Sequence, residues 1–217
     1  MNWPKKFLCT VIGSQNTGKS TFINDVIEKY SNNQVYEPFI TTQATYREII
    51  KEKNLQINRE GNLESQRIIF DNLVDQLVSA IRNPDMKNVI FDRSPIDALA
   101  YTVYLKDKGK IEQSAIEQMV EEMTRFVRMY DSIVYVPLSE CENVKVVDDK
   151  FRDTDLVYRA YVDNLFRKAI DLLDDIDREK VVEIYGDREE RVKMFYDLLA
   201  NKFVMKEDWI KKDPYAI

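Results

Sequence analysis

Gly13-Ser14-Gln15-Asn16-Thr17-Gly18-Lys19-Ser20-Thr21 decides how the rest of the chain is read. These nine residues satisfy G-x-x-x-x-G-K-[ST], the phosphate-loop pattern. An apolar run, Phe7-Leu8-Cys9-Thr10-Val11-Ile12, precedes them and reads as a buried strand. Phe22, Ile23, Val26, Ile27 and Tyr30 follow at helical spacing. The chemistry needs this order. Glycines let successive backbone N–H groups converge on a phosphate, and a helix N-terminus adds its partial positive charge. Lys19 is placed to reach the β/γ oxygens of a nucleoside triphosphate, and the Ser20 hydroxyl to ligate Mg²⁺. The alternative is an accidental glycine-rich turn before an ordinary helix. A strand in front and a helix behind make that accident rare. The expectation is that Gly13 to Thr21 bind a nucleoside triphosphate, with ATP and Mg²⁺ as cofactors.

Composition narrows the rest. A chain of 217 residues with 44% hydrophobic content is long enough for one sizeable α/β core. Charged residues make up 32%, and the net charge of −6 comes from mixed signs rather than blocks. That argues against constitutive coating of nucleic acid or of an anionic membrane, both of which reward a basic excess. No apolar run is long enough to cross a bilayer, and no signal peptide opens the sequence, so a cytoplasmic setting is expected. Cys9 and Cys141 are the two cysteines, and reduced thiols are expected rather than a bridge. Histidine is absent. This removes Ser-His-Asp triads, histidine-ligated zinc and histidine bases together. Phosphoryl transfer tolerates that absence, because positioning and charge stabilisation carry most of its catalysis.

Four further strands are expected, at Phe39–Thr42, Val89–Phe91, Ser132–Val136 and Val181–Tyr185. Helical patterns run over roughly 44–53, 64–82, 95–106, 112–129, 154–174 and 187–203. Alternating strands and helices predict a mostly parallel sheet covered on both faces, with ligands beyond the strands' C-terminal ends. One domain over residues 1–205 is expected, with a lid at about 139–160 and a surface extension over 206–217.

The other motifs fall where that rule puts a site. Val89-Ile90-Phe91-Asp92 is an apolar strand ending in a carboxylate, the form of a Walker-B strand. Asp92 would hold Mg²⁺ or accept the proton of an attacking hydroxyl; its bland alternative is a helix N-cap, which Ser94 fits better. Arg93 would stabilise a transferred phosphoryl group, or simply pair with Asp97 four residues on. Arg152 and Arg159 lie seven apart on one face of any helix spanning both. They would reach phosphates from a lid, against the alternative of a solvated charged face. Arg47, one turn after strand two, and Gln66, at the start of a long helix, are candidates for acceptor binding. Tyr101 and Tyr104 read as packing residues, and Met119, Met123, Phe126, Val127 and Tyr130 as a core stripe. Glutamate does not follow Asp92, unlike in motor-type ATPases, and the N-K-x-D and D-x-x-G runs of GTPases are absent. What remains is transfer to a hydroxyl or phosphate acceptor, the work of a small kinase.

These segments, in this order, resemble the AAA-type small P-loop kinases that include nicotinamide-riboside-kinase-like proteins and phage-encoded nucleotide kinases. The likeness is carried by the phosphate loop, by Thr41–Ile50 with its Arg47-Glu48 pair, and by Phe91-Asp92-Arg93-Ser94-Pro95-Ile96-Asp97. Asp149 to Arg152 is similar to the family's lid element, and Gly186-Asp187-Arg188-Glu189-Glu190-Arg191 to its adenine loop after the last strand. The resemblance implies ATP and Mg²⁺ use, a lid, a nucleoside or nucleotide acceptor, and adenine contacts from Gly186 and Arg188. Two positions depart from it. Lys150 stands where the lid element usually has glycine, and Ala44 near where relatives carry a carboxylate. The second departure speaks against nicotinamide riboside as the acceptor.

The reading is a three-layer α/β/α P-loop NTPase fold with a five-stranded parallel sheet of order 2-3-1-4-5. Lys19, Asp92, Arg93 and Arg152 are the expected catalytic residues. Ser20 and Asp92 are the expected metal ligands, and Arg47, Gln66 and Arg159 the acceptor contacts. The expected reaction is transfer from ATP to a nucleoside or (deoxy)nucleoside monophosphate. Two alternatives stay open: a kinase acting on a hydroxymethylated pyrimidine within DNA, and a nucleotide-dependent switch or assembly ATPase. A homodimer is left open, and no membrane partner is expected.

Overall fold

The computed structural model describes residues 7–30, 38–42, 45–86, 88–138 and 155–212. Five strands alternate with eight α-helices among them: β1 Phe7–Ile12, α1 Lys19–Tyr30, β2 Phe39–Thr41, α2 Thr45–Glu52, α3 Leu63–Arg82, β3 Asn88–Asp92 and α4 Pro95–Asp107. They continue as α5 Gln113–Val127, β4 Ser132–Tyr135, α6 Leu156–Asp171, α7 Asp175–Arg178, β5 Val181–Glu183 and α8 Arg188–Lys212. A single 3₁₀ turn, Asn58–Glu60, joins α2 to α3. All strands are parallel, in the order β2-β3-β1-β4-β5. This is the expected sheet.

The first strand shows why the sheet is sandwiched. All six residues of β1 are buried. Phe7, Cys9 and Val11 pack on one face with Phe22, Ile23 and Val26 of α1 and Phe195 and Leu199 of α8. Leu8 and Ile12 pack on the other with residues of α3, α4, α5 and α6. Side chains alternate across a strand, so two apolar faces require apolar residues at every position, and the run FLCTVI supplies them but for Thr10. Helix α4 lies inside the second layer, with ten of its thirteen residues buried. Tyr101 meets Phe166, and Tyr104 meets Tyr158 and Tyr161, all edge to face, so both tyrosines are the expected packing residues. Met119, Met123, Val127 and Tyr130 are core, with Phe126 partly buried against them.

Two boundaries differ from expectation for local reasons. The helix expected over 154–174 is α6, which ends at Asp171, and a further short helix, α7, follows it where the Asp174 carboxylate accepts from Asp177 N–H. Helix α8 runs on to Lys212, across the expected 205/206 boundary. Neither glycine nor proline interrupts it, and Pro214 is the first breaker beyond. Cys9 is a buried free thiol, and Cys141 lies outside the described residues. Among the described residues no helix is long and apolar enough to cross a membrane.

Candidate active site

The phosphate loop connects β1 to α1 at the C-terminal end of the central strand. Gly13 is required there: it sits at φ 138°, and a Cβ on it would lie 2.5 Å from the Val136 carbonyl oxygen. Asn16 and Gly18 also take positive φ, 58° and 86°. Lys19 is buried, and its Nζ donates to the Gly13 and Ser14 carbonyls at 2.8 and 2.5 Å. The ammonium is thus held against the loop by its own carbonyls. The Thr17 hydroxyl donates to the Ser14 carbonyl at 3.2 Å. Ser20 and Thr21 are exposed at the start of α1.

Strand β3 delivers the second element. Val11 of β1 is in register with Asp92, which brings this carboxylate beside the loop. Ser20 Oγ donates to Asp92 Oδ2 at 2.8 Å. Two hard oxygen donors side by side suit a Mg²⁺ ion completed by phosphate and water, the usual composition of such sites. Asp92 is not the cap of the next helix. Ser94 is, accepting from Ile96 N–H, while the Asp97 carboxylate accepts from Ser94 N–H to complete a capping box. Between them Arg93 stands at φ 93°, a strained value for a residue with a side chain. Two bonds to β1 hold it: Arg93 N–H donates to the Val11 carbonyl at 3.1 Å, and Thr10 Oγ1 donates to the Arg93 carbonyl at 3.0 Å. This explains the polar residue in the apolar strand.

Arg93 Nη1 lies 3.6 Å from Asp97 Oδ1, so the pairing expected as its bland alternative is present. It does not take the arginine away from the site. Arg93 and Asp97 line a cavity together with Ile57, Asn58, Gln66, Ile69, Ala98 and Tyr101. Asp97 is 1% exposed. Burial pushes its pKa up to about 6, against the opposing pull of Arg93, Lys19 and the Ser94 amide, while Asp92 adds repulsion. Gln66 is 2% exposed on the first turns of α3 and lines the same cavity. Asn58, at φ 55° in the 3₁₀ turn, completes the wall and belongs to no motif.

The remaining arginines divide. Arg159 of α6 is 3% exposed and donates to the Gln15 carbonyl at 3.3 Å and the Asn16 carbonyl at 3.1 Å. It reaches the phosphate loop and is not part of the cavity wall. Arg188 pairs through Nε with Asp25 of α1 at 2.9 Å, at the exposed edge of the β5–α8 connection. There Gly186 takes φ 87°, and Asp187 and Glu190 cap α8 reciprocally. Arg191 is 5% exposed and donates to the Thr17 carbonyl at 2.9 Å and the Gly186 carbonyl at 2.9 Å. It matches no phosphate-binding pattern. Its place one turn into the helix after the last strand is the signal that marks it. Arg47 is on α2 with its side chain outside the described ones, and Arg152 lies outside the described residues, as does 139–154 of the expected lid. Helix α6 then begins at an Asp155 cap.

Comparison with known proteins agrees with this architecture. A family model described as an AAA domain matches residues 8–191. Among solved structures, the NadR protein in complex with NR aligns over 88% of this chain at 17% identity with a TM-score of 0.63. This chain spans only about half of the NadR chain, 51%. Deoxyadenosine kinase from M. mycoides, with the products dCMP and dCDP bound, aligns over 89% of this chain and 98% of its own, at 15% identity and a TM-score of 0.63. Thymidylate kinase from Candida albicans aligns over 90% and 92%, at 17% identity and a TM-score of 0.60. At these identities the likeness is one of fold. No curated protein sequence matches the chain. The phosphate loop, the parallel sheet around it and the family match over residues 8–191 place the protein in the AAA domain family, with the fold of the small P-loop kinases.

Proposed function

We propose that the protein transfers the γ-phosphoryl group of ATP to a nucleoside or (deoxy)nucleoside monophosphate. The observation that carries this reading is the junction of two sites at the end of β3. Asp92 bonds the phosphate-loop hydroxyl of Ser20 at 2.8 Å, and the next residue, Arg93, lines a cavity walled by Gln66 and Asn58. A triphosphate on the loop and an acceptor that opens this narrow cavity beside Gln66 and Asn58 would meet at Asp92 and Arg93.

The roles follow from the chemistry of each group. The loop amides and Lys19 hold the β/γ oxygens and stabilise the charge that builds on them as the γ-phosphoryl group leaves. Ser20 and Asp92 are the oxygen donors for Mg²⁺, which when bound neutralises charge on those oxygens. The Gln66 amide and Asn58 orient the acceptor by hydrogen bonds. Arg93 offers its guanidinium to the transferring group, supported by Arg152, and Asp92 is placed to take the acceptor proton. Gly186 and Arg188 border the base of the nucleotide at the β5–α8 connection. The likeness of fold to a deoxyadenosine kinase and a thymidylate kinase supports an acceptor of this class.

A screen with γ-³²P-labelled ATP over nucleosides, their monophosphates and DNA containing hydroxymethylated pyrimidines tests the reading. Label is expected on a nucleoside or monophosphate, and it should disappear with Lys19→Ala while the circular dichroism spectrum stays that of the parent. ATP hydrolysis with no labelled acceptor would establish a switch ATPase instead. Label confined to DNA would establish a DNA-base kinase.

A further inference from the structure

Five consecutive carbonyls of the phosphate loop accept from three buried cations. Lys19 takes those of Gly13 and Ser14, Arg159 those of Gln15 and Asn16, and Arg191 that of Thr17. The Gly18 carbonyl then accepts from Phe22 N–H inside α1. Lys19 belongs to the motif. The two arginines come from α6 and α8, 144 and 174 residues away along the chain from the residues they touch.

A trans peptide sets each N–H antiparallel to the preceding C=O. Tying the carbonyls of Gln15, Asn16 and Thr17 to the guanidinium groups therefore aims the N–H groups of Asn16, Thr17 and Gly18 the opposite way, into the loop. Asn16 and Gly18 hold positive φ in this segment, so a flipped peptide is close at hand unless something opposes it. A flip would turn a carbonyl oxygen towards a phosphate. Hydrogen bonds from a cation also polarise the peptide and strengthen its N–H as a donor. Arginine suits the position because its rigid fork spans two carbonyls: Gln15 and Asn16 for Arg159, Thr17 and Gly186 for Arg191. A lysine ammonium on a flexible stem lacks that geometry.

We propose that Arg159 and Arg191 are positioning residues for nucleotide binding, acting on the phosphates through the loop carbonyls they hold. Arg159 thus serves the nucleotide from behind the loop rather than the acceptor. The inference rests on the nucleotide-binding half of the function proposed above.

The test uses the full chain, with Arg159→Gln, Arg191→Gln and the corresponding lysine variants. Dissociation constants are measured by calorimetry for MgATP and for inorganic tripolyphosphate, with Tm as the control for folding. Each glutamine variant is expected to bind both ligands about tenfold or more weakly, the usual scale for losing a charged hydrogen bond. Lysine should recover part of the loss. The ³¹P resonance of the bound β-phosphate should move in every variant, a change that general loosening of the fold would not produce. Glutamine variants that melt like the parent and bind both ligands within threefold of it would overturn the proposal. Should glutamine prevent folding, lysine variants with parental affinity and an unmoved ³¹P resonance would overturn it equally. A parent that binds tripolyphosphate but phosphorylates nothing refutes the kinase reading alone, and a parent that binds no polyphosphate overturns both.

Discussion

The phosphate loop and the cavity proposed for the acceptor are built by opposite means. Nine contiguous residues form the phosphate loop, and its ligand-facing groups are main-chain amides. The cavity proposed for the acceptor takes side chains from the 3₁₀ turn, α3, the residue after β3 and α4, spread from Ile57 to Tyr101. A site made of backbone needs particular φ values and so demands glycine and a fixed spacing. A site made of side chains needs only that packing bring them together, and its members can sit at any spacing. The first kind of site breaks when its geometry is disturbed, the second when its charges are.

Gly13→Ala tests that contrast most severely. The new methyl would press to 2.5 Å on the Val136 carbonyl at φ 138°, and neither backbone segment can retreat without disturbing β1 or β4. A loss of about 3 kcal/mol in stability is expected, read from urea unfolding, with nucleotide binding lost as well. A variant within 1 kcal/mol of the parent, roughly the scale of an ordinary surface substitution, would mean the loop is far more pliant than its contacts imply.

On the acceptor side the comparable change is Asp97→Asn. Burial lifts the Asp97 pKa to about 6 in the folded protein, above its value of 3.8 when unfolded. The native form therefore binds more protons in between, and this group withdraws stability as pH rises from about 4 to about 6. Two pKa units correspond to about 3 kcal/mol at most. Asparagine does not titrate, and its carbonyl can still accept from Ser94 N–H. Relative to the parent, the variant should gain stability between pH 4 and pH 7, as measured by urea unfolding at both. A difference that stays constant with pH would show that Lys19 and Arg93 outweigh the burial, with Asp92 the remaining charge nearby.

The smallest effect is expected where the two sides are joined at the surface. Arg59 pairs with Asp155 at 2.7 Å, linking the 3₁₀ turn beside Asn58 to the start of α6, and both side chains are nearly half exposed. Its guanidinium also covers the Tyr158 ring at 4.7 Å. Exposed pairs contribute little, so Arg59→Ala should lower Tm by no more than about 3 °C. The informative reading is binding: if acceptor affinity falls while MgATP affinity holds, the two sides are independent. If both fall together, α6 couples them through Arg159.

Much of this molecule is legible before folding. The five strands and the phosphate loop follow from short apolar runs and one motif, because each depends on neighbours within a few residues. Ser94 as the cap of α4 is equally local. The strand order joins residues far apart in the chain and is expected only from the likeness to P-loop kinases. The short helix α7 is harder to see, since four residues are too few to show a helical period and only the Asp174 cap starts it. Gln66 as an acceptor candidate and Arg93 as a catalytic candidate can be named from their elements, but the cavity they share with Asn58 and Asp97 cannot. Nothing in the chain marks Asn58, and only enclosure by α3 and α4 makes Asp97 a buried acid.

The amino-acid order alone dictated a strand, a loop shaped for phosphate and a helix, because glycine, lysine and serine at set spacings fix local dihedrals and donors. Only the packed chain decided that Arg159 and Arg191 turn inward onto that loop. A charged side chain on an amphipathic helix has two outlets, water or a buried acceptor. Which one it takes depends on which carbonyls the other layers bring within reach.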